Sequence, residues 1–322
     1  MDHQKKPAEW ANALNRRLEG LMPILTPAGI LLGFSLPRVF ITLQPLIPLL
    51  FGLMTLSGAL KLRARDLGFA LRDPLPVLLF FIISHGLLPV LVFFGGRLVF
   101  DDPDIMTGFV LLFSVPTAVS GFIWISIFRG NTALSLALIL LDTLAAPLLV
   151  PGTVSLLLGT RVAPDMSGIA VSLLFMVVFP TVLGVGLNEA SRERLPRLVS
   201  PFLGPLSKFC LVLVISANAA AAAPQVNPGD PRLWIIALLC ILFAFAGFAG
   251  AKCACRLCRL SPDKGVTLFF AVGLRNISAA ATLAIEFFPE AAALPAILGI
   301  VFQQAMSALM GRIFLPKPKD DR

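Results

Sequence analysis

Residues 131–160, NTALSLALILLDTLAAPLLVPGTVSLLLGT, form a thirty-position run with a single ionisable side chain, Asp142. A helix of about 20 apolar residues crosses a bilayer core, so this run is long enough to span one. The same composition extends outward from it. Of the 322 residues, 57% are hydrophobic and 14% charged, with a mean hydropathy of +0.89, whereas soluble domains carry about 25% charged residues. A water-soluble globular protein is excluded, and the chain reads as an all-α polytopic membrane protein.

Apolar runs bounded by charge, proline or glycine place ten transmembrane helices near 21–37, 39–60, 74–96, 105–128, 131–160, 167–187, 203–223, 233–252, 265–288 and 291–315. Residues 1–20 are expected to form an N-terminal cytoplasmic, interfacial segment, 21–315 a single transmembrane transporter domain, and 316–322 a cytoplasmic tail. No small-residue cleavage pattern follows the first run, which is therefore read as retained.

Lysine and arginine in short loops gather on the cytoplasmic side of a membrane. One side receives Lys5, Lys6, Arg16, Arg17, the basic groups at 61–72, 192–208 and 252–264, Arg129, Arg312, Lys317, Lys319 and Arg322, and the other only Arg38, Arg97, Arg161 and Arg232. Both termini are thus expected in the cytoplasm, with the chain in the plasma (bacterial inner) membrane. A net charge of +8 would suit a nucleic-acid partner only if it gathered on one solvated face. Here it is scattered between apolar blocks, so no nucleic acid is expected. The five cysteines, all in or beside apolar segments, do not form a secreted disulfide framework.

Ten helices divide into two halves of five, 21–160 and 167–315, and an odd number per half inverts the second relative to the first. This is the inverted-repeat plan of many secondary transporters. The fourth helix of each half is interrupted, by Val115-Pro116-Thr117-Ala118-Val119-Ser120-Gly121 and by Val272-Gly273-Leu274-Arg275-Asn276. Helices 4 and 9 are therefore expected to be broken and to cross, and paired breaks point to a binding site.

An ionisable side chain at bilayer depth costs roughly 2.5–3.5 kcal/mol and persists when protein surrounds it, usually for function. Asp142 meets that description. So does Arg275, about ten residues past Lys264 and hence roughly 15 Å into the bilayer. His85 could shuttle a proton, although a single histidine in an apolar helix more often bonds to backbone. Cys253-x-Cys255-x-x-Cys258 lacks a fourth ligand for a tetrahedral metal, so no metal is expected. No Walker loop, nucleophile elbow or H-E-x-x-H motif is present. The chain is read as a non-enzyme without cofactor, its energy drawn from an ion or solute gradient.

The chain resembles the bile acid:sodium symporter family in four segments. They are Leu46-Ile47-Pro48-Leu49-Leu50 through Gly58-Ala59-Leu60-Lys61-Leu62 to Arg72-Asp73-Pro74, then Pro116 to Arg129-Gly130-Asn131-Thr132-Ala133-Leu134-Ser135, then Pro180-Thr181-Val182-Leu183-Gly184, and Ala271-Val272-Gly273-Leu274-Arg275-Asn276. The resemblance implies ten helices, a core and a panel domain, broken helices crossing near the membrane centre, and alternating access to an organic anion, usually with sodium. In an ungapped alignment the family's sodium-binding Ser-Asn pair falls on Gly121 and Phe122, and its helix-five Ser and Thr on Ser135 and Ile139. The acid of its E-V-G-M-Q-N segment falls on Ala271, the Gln of that segment on Arg275, and its third-helix Gln on Ser84. Ser135 and Asn276 are the polar residues that match, so two ordinary sodium sites are not expected.

Ser135, Ile139 and Asp142 follow i, i+4, i+7 spacing and share one helix face. The expectation is that Arg275 supplies a fixed positive charge where the family binds a cation, that Arg275 and Asp142 form an ion pair or alternately pair and separate, and that transport, its sodium coupling altered or absent, is linked to protons through Asp142. Arg275 is also available to an anionic solute. The expected partners are a small organic solute and the lipid bilayer. Ala118, Ser120, Gly121, Phe122, Gln303 and Gln304 are cavity candidates that suit a partly apolar solute. The alternative reading is a non-transporting sensor or scaffold on the same fold.

Overall fold

The computed structural model describes residues 5–159 and 165–315, so Arg161, the tail 316–322 and residues 1–4 lie outside the described residues. The chain is all-helical, with 86% of residues in helix and no strand among those described. In chain order the helices are α1 Lys5–Ser35, α2 Pro37–Ala59, α3 Ala64–Arg72, α4 Pro74–Arg97, α5 Pro103–Ser114, α6 Gly121–Ile127 and α7 Thr132–Leu158. They continue as α8 Met166–Ala190, α9 Arg194–Gln225, α10 Pro231–Leu257, α11 Pro262–Gly273, α12 Ile277–Phe287 and α13 Glu290–Phe314. Seven of them, α2, α4, α7, α8, α9, α10 and α13, are long and apolar enough to cross a membrane. α1 bends by 71° between Glu9–Met22 and Ile24–Ser35, close to where its charged N-terminal stretch gives way to the apolar run. α5 and α12 are shorter apolar helices.

The chain folds into two compact units, each built from two separate stretches. The first comprises residues up to Ala64 with Val171–Ala223, and so α1, α2 and most of α8 and α9. Here α1 lies so close to α9 that a Cβ on Gly33 would run into the Ser216 carbonyl oxygen. Small residues allow such approach between helices in lipid. The Ser216 hydroxyl donates to Gly29 O at 2.9 Å across that seam, and the Gln44 amide of α2 donates to Ala217 O of α9 at 2.9 Å.

The second unit comprises Arg65–Ala170 and the chain from Pro224 onward. Phe248, Phe269 and Phe270 are packed ring on ring in its core, with centroids 4.8 to 6.2 Å apart. Within it α5 and α6 flank one break and α11 and α12 another. α5 stops because Val115 precedes a proline, which drives it to extended backbone (φ −61°, ψ 156°). α11 stops at Leu274, also extended (φ −111°, ψ 118°), and Asn276 starts α12 by accepting from Ala279 N at 3.4 Å. Buried peptide groups released from a helix need partners. The two breaks supply them to each other: Ala118 N donates to Leu274 O at 3.2 Å, Asn276 N donates to Pro116 O at 2.9 Å, and Thr117 and Arg275 form an antiparallel bridge.

Candidate functional site

Thr117 is the centre of this crossing. Its hydroxyl lies 2.8 Å from Ala271 O and 3.1 Å from Leu274 O, reaching the carbonyls that the end of α11 leaves free. Its backbone N–H donates to Asp142 Oδ2 at 2.6 Å. Asp142 comes from the middle of α7 and is fully buried, as are Ser135 and Ile139 on the same helix face. Its other oxygen, Oδ1, lies 2.7 Å from His85 Nε2. An ionised carboxylate only accepts, so opposite one the imidazole donates through Nε2–H, and in a neutral ring the lone pair is then on Nδ1. That Nδ1 is buried and has no hydrogen-bond partner. His85 thus bonds to a carboxylate, which corrects the expectation of a backbone partner.

The placement of His85 has a local cause. Residues Ile82–Leu87 of α4 form a π-helical turn, in which Leu88 N donates five residues back to Ile83 O. The next carbonyl, Ser84 O, would receive its bond from residue 89, but Pro89 has no N–H. Arg275 supplies the missing donor: its Nη2 donates to Ser84 O at 2.9 Å and its Nη1 to Val115 O at 3.4 Å. The side chain is 3% exposed. The expected direct ion pair between Arg275 and Asp142 is absent. The guanidinium rests on two backbone carbonyls, while both carboxylate oxygens are taken by Thr117 and His85.

Around this centre seven more residues were expected, Asn276, Ser135, Ser120, Gly121, Phe122, Ser84 and Gln303. Gln303 of α13 donates its amide to Arg275 O at 2.5 Å. Asn276 spends its side-chain oxygen on capping α12. Ser84 Oγ, Ser135 Oγ and Arg275 Nε are buried without partners. A pocket opens beside the crossing, lined by Leu112, Phe113, Phe248, Phe302, Arg275 and Gln303 among others. The side chains of Ser120 and Phe122 make no hydrogen bond to the crossing, and Gly121 packs on Leu274. Gln304 is held by Trp124 Nε1 at 3.1 Å. The residue that sequence reasoning passed over is Thr117. Its signal was its place directly after Pro116 in the break.

At the near end of α7, Asn131 caps the helix by accepting from Leu134 N at 2.9 Å and donates to Asp263 Oδ2 at 2.9 Å. Burial pushes the Asp263 carboxyl up, but hydrogen bonds from Ser261 and Asn131 outweigh it and hold the group below the usual carboxylate range.

The model of the Sodium Bile acid symporter family matches residues 48–227 of this chain. "Uncharacterized protein YbaS" of Bacillus subtilis is 37% identical over 291 residues, covering 90% of this chain and 95% of that protein. "Uncharacterized sodium-dependent transporter YocS" of the same organism is 24% identical over 291 residues (89% of this chain, 88% of that protein). "Probable sodium/metabolite cotransporter BASS1, chloroplastic" of Arabidopsis thaliana is 24% identical over 325 residues (99% of this chain, 80% of that protein). With a family match over more than half its length and a near full-length relative at 37% identity, this chain belongs to the sodium bile acid symporter family, a family of transporters and not of enzymes.

Proposed function

We propose that the protein is a secondary transporter of an organic anion that runs without sodium and is linked to protons through Asp142. The observation that carries this reading is the Arg275 guanidinium resting on the Ser84 and Val115 carbonyls at the crossing of the two breaks. Carbonyl oxygens that a mobile cation could bind are engaged by a permanent one. Gly121, Phe122, Ile139 and Ala271, aligned with the family's oxygen-bearing positions, offer no side-chain oxygen. The sodium coupling that the names of the relatives state is thereby replaced here by a resident charge.

The composition of the two units supports the ten-span inverted repeat. One unit takes the first two spans of each half (α1 and α2, α8 and α9), and the other takes the last three, with the broken span second of those three in both halves. Cytoplasmic termini and an inner-membrane location follow from the charge count. The pocket's aromatic and aliphatic walls beside Arg275 and Gln303 favour an anion with an apolar body.

The experiment is a thermal-shift panel on the purified protein with taurocholate, benzoate and acetate across pH, with and without sodium. Stabilisation by an apolar-bodied anion that is the same in potassium and sodium supports the proposal. Stabilisation only in sodium contradicts it.

A further inference from the structure

The cluster at the crossing has a charge count that sets a stoichiometry. With the guanidinium of Arg275 counted as +1 and the carboxylate of Asp142 as −1, the imidazole of His85, its Nε2 2.7 Å from that carboxylate, decides the sum. With a neutral imidazole the cluster sums to zero. The one imidazole atom left over is Nδ1, buried and unpartnered. A proton arriving there makes an imidazolium whose Nε2–H already faces a carboxylate, an arrangement that stabilises the charged ring in place.

We propose that His85 and Asp142 together hold the transported proton, one for each organic monoanion bound at Arg275, so that the loaded and empty carriers both cross with no net charge. The inference rests on the transport reading above and adds the proton's site, its stoichiometry and the electrical character of the cycle.

Electrostatics makes the two ligands depend on each other. A proton alone leaves the buried cluster at +1, and an anion alone leaves it at −1. Either state places an uncompensated charge in a medium where that is costly. Bound together they restore zero, so each raises the affinity for the other by the same factor. The link to the crossing is physical: the carboxylate that shares the proton also accepts from Thr117 N, and Thr117 is bridged to Arg275.

Among the described residues the titratable side chains packed nearby are two thiols of α10, Cys255 in the core cluster of Phe80 and Ile83 and Cys240 in the pocket beside Arg275, which donate to Gly265 O and Pro295 O. On α4 the rings of Phe80 and Phe81 flank His85, the latter stacked at 5.7 Å. α10 brings Gly250 toward Ile83 and Gly247 toward Leu88. α5 is apolar from Ile105 to Phe113 apart from Thr107, whose hydroxyl donates to Pro103 O. α11 carries its charges, Asp263 and Lys264, at its opposite end, committed to Asn131 and Asp73. The remaining charged side chain at the cluster, among the described residues, is Arg275. Four buried polar atoms without protein partners, Ser84 Oγ, His85 Nδ1, Ser135 Oγ and Arg275 Nε, leave places where water could bring the proton in.

The test uses the full chain in proteoliposomes with radiolabelled taurocholate and benzoate as probes. Uptake is measured under an inside-alkaline pH gradient with the potential clamped by valinomycin and potassium at zero and at about −100 mV, and anion exchange is measured without a gradient. The wild type is expected to accumulate a probe under the pH gradient at rates that agree within about twofold at the two potentials. In His85→Gln, gradient-driven accumulation is expected to fall at least tenfold more than exchange. Proton-driven uptake that rises strongly with negative potential, or accumulation in His85→Gln that falls no more than exchange, overturns the proposal and leaves the transport reading standing. Should His85→Gln fail to fold, the potential test on the wild type decides alone. Wild-type vesicles that carry neither probe, or carry one only with sodium, defeat the transport reading and this proposal with it.

Discussion

Asp142 and Thr117 are joined at 2.6 Å, carboxylate to backbone N–H, tying the middle of one long helix to the one peptide in the first break that also bridges Arg275. A carboxylate at full burial survives there because both its oxygens have partners, Thr117 N–H and His85 Nε2. The crossing is thereby a satisfied polar network inside an apolar core, and its members fail together when one is removed.

Asp142→Ala strips His85 and Thr117 N–H of their acceptor and leaves Arg275 without a compensating charge. Breaking a buried charged network by removing one member costs about 3–5 kcal/mol. The thermal midpoint in detergent is expected to fall by many degrees, and by clearly less in Asp142→Asn, which keeps an acceptor oxygen. Equal midpoints for Asp142→Ala and the wild type would contradict the network.

Thr117→Val preserves shape and the N–H donated to Asp142 but removes the hydroxyl within reach of Ala271 O and Leu274 O. A carbonyl left unpaired in the interior costs about 1–3 kcal/mol. A midpoint loss of that size is expected, with Thr117→Ser close to the wild type. Thr117→Ser as destabilised as the valine variant would point to packing instead of the hydrogen bond.

Much of this fold was legible in hydropathy. The run read as 233–252 is the core of Pro231–Leu257, and the run read as 131–160 is Thr132–Leu158. The breaks were legible too, since Pro116 and Gly273 disfavour helix where the apolar run would otherwise continue. The partners were not. His85 and Asp142 are 57 positions apart on different helices, and the π turn that aims the imidazole has no signature in a 3.6-residue period. The depth of Arg275 was readable, but the backbone carbonyls that hold it belong to residues whose side chains gave no sign of it. Ser84 O is free only because a π turn and Pro89 coincide. Pairing the two unusual charges directly was the natural guess, and the carboxylate's prior claim by a peptide N–H defeated it.

Gly33→Ala places a methyl group against the Ser216 carbonyl oxygen and within 2.8 Å of the Ala219 Cβ before adjustment. Backbone has to move, and overpacking of this kind costs about 1–3 kcal/mol. Thermal melting of the variant is expected to show that loss, whereas Gly186→Ala, with open space around its Cβ, serves as the neutral control. A silent Gly33→Ala would contradict the close approach of α1 to α9.

Asn131→Ala removes the α7 cap, worth about 1 kcal/mol, and one of the bonds that lower Asp263. A carboxyl lowered in the folded state adds stability above its unfolded value and loses it as pH falls through the folded one. In the variant the two values lie closer together, so the acid-side loss is expected to be smaller and the gap between the thermal midpoints of wild type and variant to narrow as pH falls. An unchanged acid limb would show that the Asn131 bond does not lower Asp263.

The central claim, that a resident guanidinium does the work of a mobile cation, is tested most directly by anion uptake into sodium-free proteoliposomes by the wild type and Arg275→Gln. The account predicts wild-type uptake unaffected by adding a sodium gradient and a loss of at least tenfold in Arg275→Gln. Uptake that strictly requires the sodium gradient and proceeds unchanged in Arg275→Gln would contradict it.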